Sequence, residues 1–220
     1  MTWRSLHRAL LLAVVGCTSH HAPAPVTTAD VPPCFPLYPL APGARWTYDV
    51  DVVFGEGDAS AQQHLRVVRV VADAARDGAE WRFRLDSKPL PTDSAVAAAE
   101  RYRLAGGSLY DADDSQVDHL FLVPKPEQAV AWGGSRSFFP PGDGLWKVVD
   151  FEDAPPYHDC VKVHAELKYG DVTHVYCAGV GPVRSEYHER APRSRTDEAI
   201  GHHRDEVWRL REVAAGTCAR

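Results

Sequence analysis

Trp46-Thr47-Tyr48-Asp49-Val50-Asp51-Val52-Val53-Phe54 alternates apolar and polar side chains along most of its length. Trp46, Tyr48, Val50, Val52 and Phe54 recur at every second position, interleaved with Thr47, Asp49 and Asp51. Successive side chains of an extended strand point to opposite faces. The spacing therefore predicts a strand with one dry, aromatic face and one wet, charged face. Gly55-Glu56-Gly57-Asp58 ends it, Leu65–Val71 supplies a partner strand, and Asp77-Gly78 is a hairpin turn signal. Trp81, Phe83 and Leu85 repeat the pattern against Arg82 and Arg84.

Working outward, Tyr102 and Leu104 precede Gly106-Gly107, and Leu109-Tyr110 follows, which reads as another tight hairpin. Leu120–Val123 is a short apolar run stopped by Pro124 and Pro126. From Pro124 to Pro156 the chain is punctuated by Gly133-Gly134, Pro140-Pro141-Gly142 and Gly144, with a short strand at Leu145–Val149. The clearest hairpin is Cys160–Leu167, a turn near Tyr169-Gly170-Asp171, then Val172–Cys177. Val183–Tyr187 and Val207–Val213 close the set. Ser94–Glu100 is Ala-rich and reads as helix or as the lead-in to a strand. About nine short strands with close turns indicate a mainly β, antiparallel domain with little helix, either a curled, half-barrel-like sheet or a β-sandwich. Parallel pairing would need crossover helices for which the chain has little room. The dry face has to be covered. The sheet must curl on itself, or the Pro/Gly-rich middle must fold across it and bring Trp132 and Phe138 or Phe139 onto Trp46, Tyr48 and Val50.

The amino terminus is different in kind. Arg4 and Arg8 give it a positive start, Ala9–Gly16 is uncharged and mostly aliphatic, and Val14-Val15-Gly16-Cys17 follows. Eight residues fall far short of the roughly 20 a membrane-spanning helix needs, so residues 1–16 read as a signal peptide. The small residue before cysteine resembles the bacterial lipobox, which implies cleavage before Cys17 and a mature chain beginning with a Cys17 that carries diacylglycerol and an amide-linked acyl chain such as palmitate. More than one acyl chain makes attachment stable. Thr18 follows where an Asp would resemble the inner-membrane retention signal, so the expected address is the outer membrane of a Gram-negative envelope. Residues 17–33 hold Pro23, Pro25, Pro32 and Pro33 and no apolar period, the composition of a semi-extended tether. Residues 34–220 form the single β domain.

With Cys17 assigned, Cys34, Cys160, Cys177 and Cys218 remain. An even number in an exported chain favours two disulfides, with three possible pairings. Cys160 and Cys177 flank a hairpin whose turn lies near their midpoint, so they fall opposite each other. That leaves Cys34 with Cys218.

Tyr38-Pro39-Leu40-Ala41-Pro42-Gly43-Ala44-Arg45-Trp46-Thr47-Tyr48, Cys160-Val161-Lys162-Val163 and Val175-Tyr176-Cys177-Ala178-Gly179-Val180-Gly181-Pro182-Val183 together resemble a group of predicted bacterial lipoproteins of unassigned function. These are similar in outline to the lipoprotein-carrier (LolA/LolB-like) half-barrel superfamily. The resemblance implies a curved antiparallel sheet able to cup an acyl chain, on a face that Trp46, Tyr48, Val50, Trp81 and Phe83 would line. Its motifs concern how the sheet turns and name no ligand.

Chemical signatures are sparse. The formal charge is −6, and losing Arg4 and Arg8 with the signal peptide takes it to −8. An acidic chain without a basic stripe does not suit nucleic acid. Gly133-Gly134-Ser135-Arg136-Ser137 and Gly106-Gly107-Ser108-Leu109-Tyr110 lack the Gly-x-Ser-x-Gly elbow, and no His-Glu-x-x-His occurs. Eleven histidines are dispersed. His20 and His21 belong to the tether, and His164 and His174 read as solvent-facing strand positions. His188 with His202, His203 and a neighbouring carboxylate would offer zinc or copper a site only if paired strands brought them together. Asp111-Ala112-Asp113-Asp114-Ser115-Gln116-Val117-Asp118 spaces carboxylates like a calcium loop but has Gln116 where glycine is needed. Trp132 and Trp146 stand in the middle segment, placed for packing or for the mouth of a pocket. No catalytic residue, cofactor or metal is assigned. The expectation is a non-catalytic envelope lipoprotein, a binding or accessory module attached to the membrane by its lipid, with an apolar ligand or an envelope protein as partner. The alternatives are a carrier or sensor of an apolar ligand and, less favoured, a metal-dependent enzyme.

Overall fold

The computed structural model describes residues 31–56, 59–90, 98–112, 119–122, 132–135, 143–167, 169–194 and 197–218. Twelve strands follow in chain order: β1 (Arg45–Glu56), β2 (Ala59–Asp77), β3 (Glu80–Leu90), β4 (Ala98–Ala105), β5 (Ser108–Asp111), β6 (His119–Leu122), β7 (Trp132–Ser135), β8 (Asp143–Ala154), β9 (Tyr157–Leu167), β10 (Gly170–Cys177), β11 (Gly181–Ser194) and β12 (Asp197–Ala214). They form one antiparallel sheet in the order β6-β5-β4-β3-β2-β1-β12-β11-β10-β9-β8-β7. Every neighbouring pair is consecutive in sequence except β1 with β12, which joins two six-stranded meanders at the centre. The sheet curls until its two edge strands, β6 and β7, come close to each other. This is the mainly β, curled architecture expected from the sequence, with twelve strands in place of about nine. Strand β7 carries no side-chain period because Gly133 and Gly134 occupy half of it. The end of the Ser94–Glu100 stretch is strand, since β4 begins at Ala98, and residues 91–97 lie outside the described residues.

Register explains the core. Trp46 stands opposite Arg69 and Tyr48 opposite Val67 on β2, while Val50 stands opposite Trp208 on β12. Trp46, Tyr48 and Val50 are each 1% exposed, so the alternation of β1 marks the inner face. The other face is wet and ion-paired. Asp51 meets His64 at 2.8 Å and Arg209 at 2.6 Å, and Asp49 meets Arg66 at 3.2 Å and Arg211 at 3.4 Å. Only Phe54, at the far end of the row, emerges into solvent.

The sheet's curl supplies part of the cover for the dry face. The rest comes from an element the period does not reveal, a strap formed by Cys34–Ala44. Pro36, Pro39 and Pro42 withhold N–H groups at three of its positions and keep it out of the sheet's ladders. Yet Phe35, Leu37, Tyr38, Leu40, Ala41 and Ala44 are all buried. Each large apolar side chain so buried contributes roughly 1.5–3 kcal/mol, enough to offset the ordering of a segment without regular structure. Gly179 N donates to Pro36 O at 2.8 Å, and Val71 N donates to Ala44 O at 2.9 Å. Phe138 and Phe139, and the side chain of Trp132, lie outside the described residues.

Both disulfides pair as the hairpin argument requires. Cys160 and Cys177 are direct cross-strand partners with Cα atoms 4.0 Å apart. Cys34 joins Cys218 with Cα atoms 5.1 Å apart, stapling the start of the strap to the residues after β12.

Candidate functional site

Tyr38, on the strap, sits at the centre of the interior with no exposed surface. Its ring makes edge contacts with Trp46 at 5.2 Å and Tyr102 at 5.9 Å, and lies 6.4 Å from Tyr176. Its hydroxyl accepts from Arg69 Nη1 at 3.0 Å. Arg69 is itself fully buried, because it shares the inner face of β2 with Val67 and Val71. Its Nε donates to Ser87 Oγ at 3.2 Å, and its Nη2 forms an ion pair with Glu100, which also accepts from Tyr102 Oη at 2.6 Å. Strap, β2, β3 and β4 are thus joined by one polar latch inside an apolar shell.

The electrostatics favour a latch over a reactive centre. Burial works against the Arg69 charge, but the Glu100 carboxylate beside it holds the guanidinium pKa above its ordinary value. Burial, with Glu100 adding to it, pushes the Tyr38 phenol up to about 12 despite Arg69, and pushes Tyr102 well above its usual range. Both phenols stay protonated at any physiological pH, and the buried Arg69 cation is neutralised by the adjacent Glu100 carboxylate. A half-satisfied network would be costly here, whereas a connected one fixes a unique packing.

Across the interior, His174 is fully buried, contrary to the solvent-facing position read from the sequence. It stands opposite Val163 on β9 and Ser185 on β11, and stacks on Trp146 at 5.3 Å. Burial first, and the Arg69 charge second, lower its pKa to about 3, so it is neutral in the folded protein. His164 lies across the ladder from Thr173 and bonds its hydroxyl at 3.0 Å, which places the two histidines on opposite faces. Trp146 is 2% exposed, a core side chain.

The His188–His202–His203 region does form on paired strands, but His188 and His202 are each engaged by a separate carboxylate, and His203 stands opposite Arg190 on β11 and Gly55 on β1. His188 Nδ1 meets Asp205 at 2.9 Å, and His202 Nε2 meets Glu189 at 3.1 Å. Arg190 adds a two-pronged contact to Asp205 at 2.7 and 2.8 Å. Among the described residues no group of three or more His, Cys, Asp or Glu is placed to hold a metal ion. In the calcium-like stretch, Asp111 is buried on β5 opposite Tyr102, and 113–118 lie outside the described residues, as do Cys17, His20 and His21.

All five side chains expected to line a cupped face, Trp46, Tyr48, Val50, Trp81 and Phe83, belong to the packed core. Trp46 Nε1 and Tyr48 Oη donate to the carbonyls of Val180 and Pro182 at 2.7 and 2.9 Å. Trp81 also faces a cavity of about 280 Å³ at the strap's entry. The sequence reading missed the latch. One signal was available, the period Val67-x-Arg69-x-Val71, which puts Arg69 on the apolar side.

Comparison with protein-family models finds no match, and no curated protein is similar in sequence. Among solved structures, a proposed exported protein with a YmcC-like fold from Bacteroides fragilis is 11% identical. The alignment covers 81% of this chain and 99% of that one, with a TM-score of 0.46. A proposed lipoprotein from Parabacteroides distasonis is 12% identical over the same shares, also at 0.46. A LolA superfamily protein from Nitrosomonas europaea is 9% identical over 84% of this chain and 91% of that one, at 0.23. Values this low leave the function to be argued from the chain's own residues.

Proposed function

We propose that the chain is a cell-envelope lipoprotein, anchored through Cys17, whose β domain is a non-catalytic binding or accessory module. The filled interior carries this reading. A carrier of a whole acyl chain needs a continuous apolar cavity along the inner face, and there the strap's Phe35, Tyr38 and Leu40 pack against Trp46, Tyr102 and Tyr176. Two disulfides suit an exported protein. Among the described residues, the buried Arg69, Tyr38 and Tyr102 and the partly buried Glu100 hold one another in one network. Thr18 after the lipidated cysteine favours the outer membrane. Partners would then meet the module at its rim and wet outer face.

Detergent extraction of the membrane-bound protein followed by native mass spectrometry tests both parts. The expected mass is that of a chain starting at Cys17 with its own acyl groups and nothing else. A stoichiometric co-purifying lipid would overturn the module reading in favour of a carrier. An unlipidated mass would overturn the anchor.

A further inference from the structure

Where the strap enters the domain, an apolar cavity of about 280 Å³ lies between the strap and two hairpin turns. Phe35 and Pro36 form one wall, Trp81 and Leu104 another, and the Gly106-Gly107 turn closes a side. None of the described residues that line it is charged. Three features keep it open. Gly106 and Gly107 adopt φ of +56° and +80°, and no atom lies within 4 Å of where a Cβ would project. The β2–β3 turn contributes only Ala79. Cys34, another lining residue, is pinned to Cys218, so the strap wall cannot slide inward.

We propose that this cavity is a binding site for a compact apolar molecule, an aromatic or branched hydrocarbon group held between Phe35 and Trp81. The volume lies just under the usual range of small-molecule pockets. Beyond Phe35 the interior is closed by the fully buried Tyr38, so an occupant has to end there. A long straight chain would leave most of its length in water, which is why a compact group fits better than an acyl tail. The site opens at the edge of the core, where Phe35, Trp81 and Leu104 border it, and the inference goes beyond the module reading without depending on the Cys17 lipid.

The test uses the full chain as Cys17→Ser, free of its own lipid, titrated with naphthalene and followed by saturation-transfer NMR. Saturable one-to-one binding is expected. Ala79→Phe, which introduces a ring at an exposed lining position, is expected to weaken it at least tenfold. Ala75→Phe, exposed on β2 and not among the lining residues, is expected to leave it unchanged. Circular dichroism of each variant establishes that the sheet is intact. Dodecyl maltoside below its micelle concentration separates compact from chain-like occupants and is expected not to displace naphthalene. The proposal is overturned by the absence of saturable binding up to the solubility limit, by an Ala79→Phe titration identical to the parent's, or by tighter binding of the dodecyl chain at the same site.

Discussion

Replacing Tyr38 by Ala separates the strap's two means of attachment. The ring is fully buried and touches Trp46, Tyr102 and Tyr176, so its removal empties the centre of the interior. Deleting a buried aromatic in this way costs about 3–5 kcal/mol. The hydroxyl is a separate matter. It accepts one bond from Arg69, and a hydrogen bond to a charged group is worth about 1.5–3 kcal/mol. Arg69 keeps Ser87 and Glu100 in either variant, so it is never stripped of partners. Tyr38→Phe should therefore cost about 1.5–3 kcal/mol, and Tyr38→Ala about 4–6, less than the full sum because the sites are coupled. Urea unfolding of the Cys17→Ser chain with disulfides intact, at constant m-value, measures both. A Tyr38→Ala loss below about 1 kcal/mol would refute the claim that the strap is part of the core. Equal losses for Phe and Ala would mean that the latch outweighs the packing.

Three further outcomes follow from the same interior. His174 has a folded pKa of about 3 against an ordinary 6.5, so the unfolded chain binds the proton first as pH falls. Its contribution is full above pH 6.5 and is lost between there and 3, on the order of 4–5 kcal/mol in all. Stability of His174→Phe should fall less steeply than wild type over that range, and parallel curves would refute the assignment. Cys34–Cys218 closes a loop of 184 residues and Cys160–Cys177 one of 17. Chain entropy gives about 5 and about 3 kcal/mol, so the Cys34→Ser/Cys218→Ser double variant should unfold at lower urea than Cys160→Ser/Cys177→Ser. The reverse order would contradict the entropic account. Gly181 has φ +103°, and a Cβ there would stand 3.0 Å from Trp46 Nε1 and 3.2 Å from Tyr38. Gly181→Ala should cost about 2–4 kcal/mol by strain and overpacking, and an unchanged unfolding midpoint would show that the contact is not tight.

The parts of the fold that the sequence reveals are those governed by local rules. The period of Trp46–Val52 marks an inner row, Asp77-Gly78 turns β2 into β3, and the spacing of Cys160 and Cys177 about a turn predicts their bond. What it conceals depends on distant partners. The pairing of β1 with β12 joins residues about 150 or more positions apart, as Tyr48 and Leu210 illustrate, and no local pattern encodes it. The strap shows no period because its prolines prevent a strand. Its burial is a property of the concavity that receives it. His174 alternates with Val172 and Tyr176, which could have placed it inside, but a histidine on a strand is more readily assigned to water. Arg69 misleads in the same way, since a guanidinium is tolerated inside only because Glu100, Ser87 and Tyr38 converge on it from three other elements.

Hydrogen–deuterium exchange of the membrane-extracted protein tests most directly whether the strap closes the interior. The amides of Leu40, Gly43 and Ala44 donate to the carbonyls of Tyr38, Val71 and Ala41 at 2.7, 3.3 and 2.9 Å, and Leu40, Ala41 and Ala44 are buried. Peptides covering 35–44 should be protected to within a factor of ten of those covering β1, opening only with the fold as a whole. Exchange of the strap within seconds, while β1 remains protected, would show that the interior opens without unfolding and would contradict the filled-module account.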